Sequence, residues 1–181
     1  MKKAALVALL GAVAAVVAVV GVGDARAEGA QRFEGKLFTF SYPSSAATAP
    51  GADPSADVAV TVTLADGITA SVIAGEKKIA DGQLEELATT WHGARIKNRA
   101  AWGMKAGGGP PHDLVRIGDK KWLRWRDHIG SVLGAQDQTM TCGAVAAHLA
   151  CVVVSAPQKE RERADTLTAQ ILSSLTIRKQ R

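Results

Sequence analysis

The stretch QTMTCGAVAAHLACVVVS, residues 138–155, decides how this chain folds. It holds two runs typical of β-strands, 138–142 and 149–155, on either side of a short segment that can turn. If the chain reverses at Ala146 and Ala147, Cys142 and Cys151 lie directly opposite each other, within reach of a disulfide. Such a bridge closes a loop of about ten residues and contributes about 2.5 to 3 kcal/mol to stability. A redox or metal-binding pair is the alternative, but the spacing is not that of a CxxC motif.

The N-terminus indicates the compartment in which this disulfide would form. Lys2 and Lys3 precede an uncharged run, residues 4–22, and the sequence Ala25-Arg26-Ala27 follows. A basic start, an apolar middle and small residues before a cut are the parts of an export signal. We expect cleavage after Ala27 and a periplasmic or extracellular protein without a stable membrane anchor, in an oxidising environment. An uncleaved anchor is the alternative, because the run could nearly span a bilayer.

Charge and length limit the class of protein. Removing residues 1–27 lowers the formal charge from +5 to +3, because that segment holds three cationic side chains and one anionic one. This mild charge, together with export, argues against a nucleic-acid partner. Residues 28–181 are enough for a single domain with its own core.

The sequence patterns in the first half of this domain predict strands and a helix. Residues 36–42 form a strand with Phe38, Phe40 and Tyr42 on one face, and residues 44–56 form a long loop. Residues 57–75 form a hairpin whose three-residue loop ends at Gly67 and sets Val60, Val62 and Leu64 opposite Val72, Ala70 and Ile68. Asp81 is a candidate cap for a helix of about three turns, with Leu84, Leu87, Ala88 and Trp91 on its apolar face.

The second half continues with strands and a closing helix. We predict strands at 99–105, 113–117 and 122–127, a loop at 107–111 and a turn at Gly118-Asp119. The final helix, residues 158–175, places Ala164, Leu167, Thr168, Ile171 and Leu175 along one stripe. Clustered strands with two intervening helices predict an α+β fold, an antiparallel or mixed sheet with two main helices packed on it in a single domain.

Two segments resemble the PsbP family of α/β/α sandwich domains. They are the early strand Leu37-Phe38-Thr39-Phe40-Ser41-Tyr42-Pro43 and the end of the last helix, Ile171-Leu172-Ser173-Ser174-Leu175. The order of elements across most of the exported part also fits that family. The resemblance implies a domain that binds proteins or assists assemblies, and it supplies no catalytic residues.

The most distinctive local stretch is KKWLRWRDH, residues 120–128. On a strand, Trp122, Arg124 and Arg126 point to one face, and Leu123 and Trp125 to the other. If the first face is exposed, it forms a cationic, aromatic patch suited to a protein partner, a glycan or an anionic ligand. The alternative is a face on which the arginine stems cover Trp122, with Trp125 in the core.

Other motifs give little sign of catalysis. The histidines at 92, 112, 128 and 148 have no metal-binding spacing, so we expect neither a metal site nor a cofactor. There is no GxSxG motif, and residues 107–109 lack the Lys-Ser/Thr of a phosphate loop. Asp127 and His128 face opposite ways on a strand and cannot form a dyad with each other. The sequence favours an exported, non-catalytic binding or accessory domain with no catalytic residues. The alternative is a small-molecule hydrolase or other secreted enzyme whose site is assembled from distant segments.

Overall fold

The computed structural model describes residues 29–51, 58–101, 105–107, 112–131 and 134–178, so the predicted signal segment lies outside it. In these ranges no helix combines the length and the hydropathy needed to cross a membrane. The elements are, in chain order, β1 (Ala30–Glu34), β2 (Phe38–Pro43), β3 (Ala47–Pro50), β4 (Val58–Thr63), β5 (Thr69–Lys78), α1 (Leu84–Ala101), β6 (Lys105–Gly107), β7 (Asp113–Ile117), β8 (Lys120–Ser131), β9 (Gly134–Val145), β10 (His148–Pro157), α2 (Arg161–Ser174) and β11 (Thr176–Ile177).

The hairpin of β9 and β10 lies in the middle of the larger sheet. Cys142 pairs directly with Cys151, their Cα atoms are 4.1 Å apart, and the two form a disulfide, which confirms the predicted bridge. Ala146 and Ala147 form the turn with positive φ angles of 50° and 65°. These left-handed angles match the two-residue turns whose twist suits a hairpin. Both cysteines are completely buried.

The hairpin of β4 and β5 has the predicted register. Val60 pairs with Val72 and Val62 with Ala70, and the N–H of Leu64 donates to the carbonyl of Ile68. Gly67 occupies the left-handed region at φ 77°, which a three-residue loop needs at that position. The register is fixed because a slip by one residue would move the valines to the other face.

Two helices cover opposite faces of an eight-stranded sheet, ordered β3-β4-β5-β10-β9-β8-β6, with β7 also paired to β8. On one face α2 and a second sheet, β1-β2-β11, pack on side chains such as Val72 and Val152. On the other face α1 packs on the disulfide and on Ile73 and Val153. Every strand pair in the described residues is antiparallel. The α+β class is confirmed, but the strands form two sheets, and the larger sheet separates the helices.

Two predicted boundaries are wrong in part. The segment 44–56, predicted as a loop, contains the edge strand β3, which pairs with β4 through residues 47–50; residues 52–57 lie outside the described part. All four side chains of β3 are exposed, so the strand leaves no apolar alternation in the sequence. The predicted strand at 99–105 is also wrong, because α1 continues to Ala101 and only Lys105–Gly107 is a strand. The last half of α1 carries Arg95 and Arg99 near Asp127 of the sheet, so apolar residues do not mark it.

A close contact between β8 and β9 positions the face that carries the predicted patch. The indole of Trp122 lies over Gly143, and a Cβ atom built on Gly143 would come within 2.4 Å of the ring. Trp122 also belongs to the apolar cluster beneath α2. Only glycine at position 143 lets the ring lie against the strand.

We expect Gly143→Ala to lower the free energy of unfolding by about 1 to 3 kcal/mol, because the new methyl group overpacks a buried indole. Gly93→Ala is the matched control. Gly93 lies in α1 with no atom within 4 Å of the added Cβ, so alanine should stabilise the helix by about 0.5 to 1 kcal/mol. Urea denaturation of the two variants measures both effects. If Gly143→Ala were as stable as Gly93→Ala, the indole of Trp122 would move freely to admit the methyl group, and the predicted overpacking would be wrong.

Candidate functional site

Trp122 does not form part of an exposed patch. Its side chain is 1 % exposed, between α2 and the sheet, whereas Arg124 and Arg126 are partly exposed on the same face of β8. Trp122 is covered, as in the second arrangement allowed by the sequence, but by packing beneath α2 and not by arginine stems on an exposed face. Trp125 lies in the other core at 5 % exposure, as that arrangement predicts. The patch therefore offers guanidinium groups to a partner but no indole.

A third arginine joins this face from α2. Burial and repulsion by Arg126 lower the pKa of Arg124; Asp165 and Asp113 oppose the shift, and Arg161 adds to it. Arg126 and Arg161 are therefore each close enough to Arg124 to repel its guanidinium group. We call Arg124, Arg126 and Arg161 the arginine surface.

The hydrogen bonds of the arginine surface are incomplete within the described residues. Arg126 Nη2 donates to Asp165 Oδ2 over 3.2 Å. The Nε atom of Arg124 is buried without a hydrogen-bond partner, and Arg161 has neither a hydrogen bond nor an ion pair in this part of the chain. Arg161 is exposed and Arg126 is partly exposed, so their unpaired donors, unlike the buried Nε of Arg124, reach solvent.

A cavity of about 140 Å³ opens beside the arginine surface. His128 and Asp137 line it, and His128 Nδ1 lies 2.9 Å from Asp137 Oδ1. The other lining residues are Arg126, Asp127, Gln138, Thr139 and Arg161. The volume is below the roughly 300 to 1,000 Å³ of typical small-molecule sites.

Asp127 faces the opposite side of the sheet from the arginine surface. It is 3 % exposed, and its Oδ2 atom lies 2.9 Å from His92 Nε2 on α1. Asp127 and His128 thus have different partners on different faces, as the strand alternation predicts. The ring of His92 stacks on Trp125 with the ring centroids 5.2 Å apart, and His112 contacts the same indole at 5.1 Å.

Two arginines of α1 share the neighbourhood of Asp127. Burial and repulsion from Arg99 lower the pKa of Arg95 to about 10, and Asp127 opposes the shift. Burial also lowers the pKa of Arg99, again opposed by Asp127. Asp127 therefore supplies negative charge to two cationic side chains as well as a hydrogen-bond partner to His92.

Sequence reasoning missed Arg161 and the partners of Asp127. Arg161 belongs to a run of charged residues at the start of the last helix, 159–163, which the sequence predicts to face solvent. His92 and Arg99 do follow the apolar stripe of α1 at helical spacing, and this was the available signal for polar contacts to the sheet. No group of three or more potential metal ligands lies together among the residues that the structure describes.

Comparisons with known proteins identify the fold. No protein-family model and no curated protein matches the sequence. The solution structure of cyanobacterial PsbP from Synechocystis matches with a TM-score of 0.60 and 14 % sequence identity, covering 87 % of this chain and 98 % of that chain. The chain has a PsbP-like fold, which confirms the resemblance seen in the early strand and the last helix. At this identity the likeness extends to the fold alone.

The contacts of Asp127 give a stability prediction. Asp127→Asn keeps the size of the side chain but removes the carboxylate that faces Arg95, Arg99 and His92. We expect it to lower the free energy of unfolding by about 3 kcal/mol, because buried cations lose their counter-charge. Chemical denaturation at neutral pH measures the loss.

Asp137→Asn provides the matched control for this substitution. Asp137 pairs with His128, whose side chain is 58 % exposed, so the same change should cost less than about 1 kcal/mol. Similar losses in the two variants would contradict a special role for Asp127.

Proposed function

We propose that this protein is an exported, non-catalytic binding or accessory domain that docks on a protein partner through the arginine surface. The observation that supports it most directly is the convergence of Arg126 and Arg161 on Arg124, which both of them repel, with hydrogen-bond donors that no described residue uses. Arginine is favoured where carboxylates of a partner are bound, since its planar group makes paired hydrogen bonds. A partner with acidic side chains would relieve the repulsion.

The proposal of export rests on two independent features. The first is the N-terminal sequence, with two lysines, an uncharged run and Ala25-Arg26-Ala27. The second is the buried disulfide of Cys142 and Cys151, because structural disulfides persist mainly in oxidising compartments. Together they favour a periplasmic or extracellular protein without a membrane anchor.

Protein recovered from the native host should begin at Glu28 and lie in the soluble envelope or extracellular fraction. Cleavage after Ala27 removes the basic start and the apolar run in one step. N-terminal sequencing of the fractionated protein is the measurement. Met1 in a membrane fraction would establish the anchored form instead.

The double variant Arg124→Ala/Arg161→Ala should lose capture of the partner from native envelope extracts at least severalfold. Arg124 is partly exposed and Arg161 is exposed, and neither belongs to an apolar cluster, so neither change opens the core. Affinity purification with quantitative mass spectrometry measures the loss. Raising the salt concentration should release the same proteins, because ions screen exposed charges.

Arg116→Ala/Lys97→Ala is the control for this experiment. It removes the same charge from two exposed positions outside the arginine surface. It should capture the partner as the unmodified protein does. Equal capture by both double variants would exclude the arginine surface as the docking site.

A second candidate function is favoured by the His128–Asp137 pair. A histidine bonded to a carboxylate beside a cavity is an arrangement used for general-base catalysis. A small-molecule hydrolase with this site would lose turnover in His128→Ala and keep it in Arg124→Ala. The small volume of the cavity makes the binding domain the better-supported function.

A further inference from the structure

We propose that the cavity beside the arginine surface is a subsite for a single oxyanion, a carboxylate or phosphate group. The inference rests on the proposed function and deepens it, because it names the chemical group by which a partner is held. The lining residues that can donate to an anion are Arg126, Arg161, His128 and Thr139, on β8, β9 and the start of α2.

The first argument concerns the position of Arg161. It is the first residue of α2, where the helix dipole disfavours a cation. Arg163, two residues later, is bonded to Asp66 and Glu160. Arg161 has no such partner among the described residues and lines the cavity. A negatively charged group in the cavity would offset both the dipole and the repulsion from Arg124.

The second argument concerns the carboxylates nearby, which could neutralise the site without a ligand. Of the nitrogen atoms of Arg126, only Nη2 donates a hydrogen bond to Asp165. The Arg126 guanidinium has no other partner among the described residues. Asp137 and Asp127 also line the cavity, but Asp137 is bonded to His128, and Asp127 is bonded to His92 on the other face of the sheet. Asp113 acts on Arg124 and does not line the cavity. Donors of Arg126 and Arg161 therefore stay available inside the cavity.

The third argument is the size of the cavity. Its volume of about 140 Å³ is that of four or five water molecules in the liquid. This space accommodates an oxyanion of a few heavy atoms. Thr139 adds a hydroxyl group that can donate to the same anion.

Titration of the ¹⁵N-labelled protein, expressed from the full-length sequence, tests the subsite. Inorganic phosphate and acetate are the probes, with chloride at equal ionic strength as the reference. We expect saturable NMR shifts at the side-chain Nε–Hε groups of Arg126 and Arg161 and at the amide of Thr139. A stronger response to acetate assigns the subsite to carboxylates of a partner, and a stronger response to phosphate assigns it to phosphate groups.

Variants separate a built subsite from general attraction of anions. Arg126→Gln and Arg161→Gln should each weaken binding about tenfold, as expected for one charge-assisted interaction. Asp165→Asn should tighten it by up to about fivefold, because it frees Arg126. The control Arg116→Gln should leave the affinity unchanged. Circular dichroism confirms that each variant is folded.

Shifts that chloride reproduces, that do not saturate, or that survive in Arg126→Gln/Arg161→Gln would overturn the inference. The proposed function fails in a different way. If oxyanions bind but Arg124→Ala/Arg161→Ala still captures the partner, the subsite stands and the docking proposal falls. If that variant loses the partner but no oxyanion binds, docking stands and the subsite falls.

Discussion

The structure depends on the pairing of β9 with β10, which the disulfide of Cys142 and Cys151 fixes at the centre of the larger sheet. The side chains of β10 alternate between two cores, with Val152 facing α2 and Val153 facing α1. A change of register by one residue would exchange the two faces and remove both helices from their packing surfaces. The covalent bridge and the tight turn at Ala146 and Ala147 together exclude that change.

The same alternation gives neighbouring residues of β8 different chemistry. Trp122 and Leu123 belong to different apolar clusters, and Arg126 and Asp127 meet partners on opposite helices. Asp127 contacts α1 in a buried site, where its charge offsets that of nearby arginines. Arg126 contacts α2 at the edge of its packing surface, where solvent and a ligand can reach it. One strand thus stabilises the domain on one face and presents a cationic surface on the other.

Sequence patterns predicted the elements whose burial alternates, and they failed where polar or exposed side chains decide the structure. The two hairpins were predictable because alternating valines and turn residues agree on one register. Strand β3 was missed because its side chains are exposed, and the end of α1 because Arg95 and Arg99 meet the sheet through charge. For the site, the alternation correctly grouped Trp122 with Arg124 and Arg126. It could not show that α2 covers the indole, because that depends on packing between residues far apart in the sequence.

The contrast between two arginines in the first turn of α2 separates a structural explanation from a functional one. A cation near a helix N-terminus costs roughly 0.3 to 1 kcal/mol unless a carboxylate compensates it. Arg163 is compensated, since Asp66 and Glu160 both bind it and raise its pKa. Arg161 lacks a corresponding carboxylate among the described residues and repels Arg124. This contrast supports the proposal that Arg161 serves binding, because the described contacts give its charge no part in stabilising the fold.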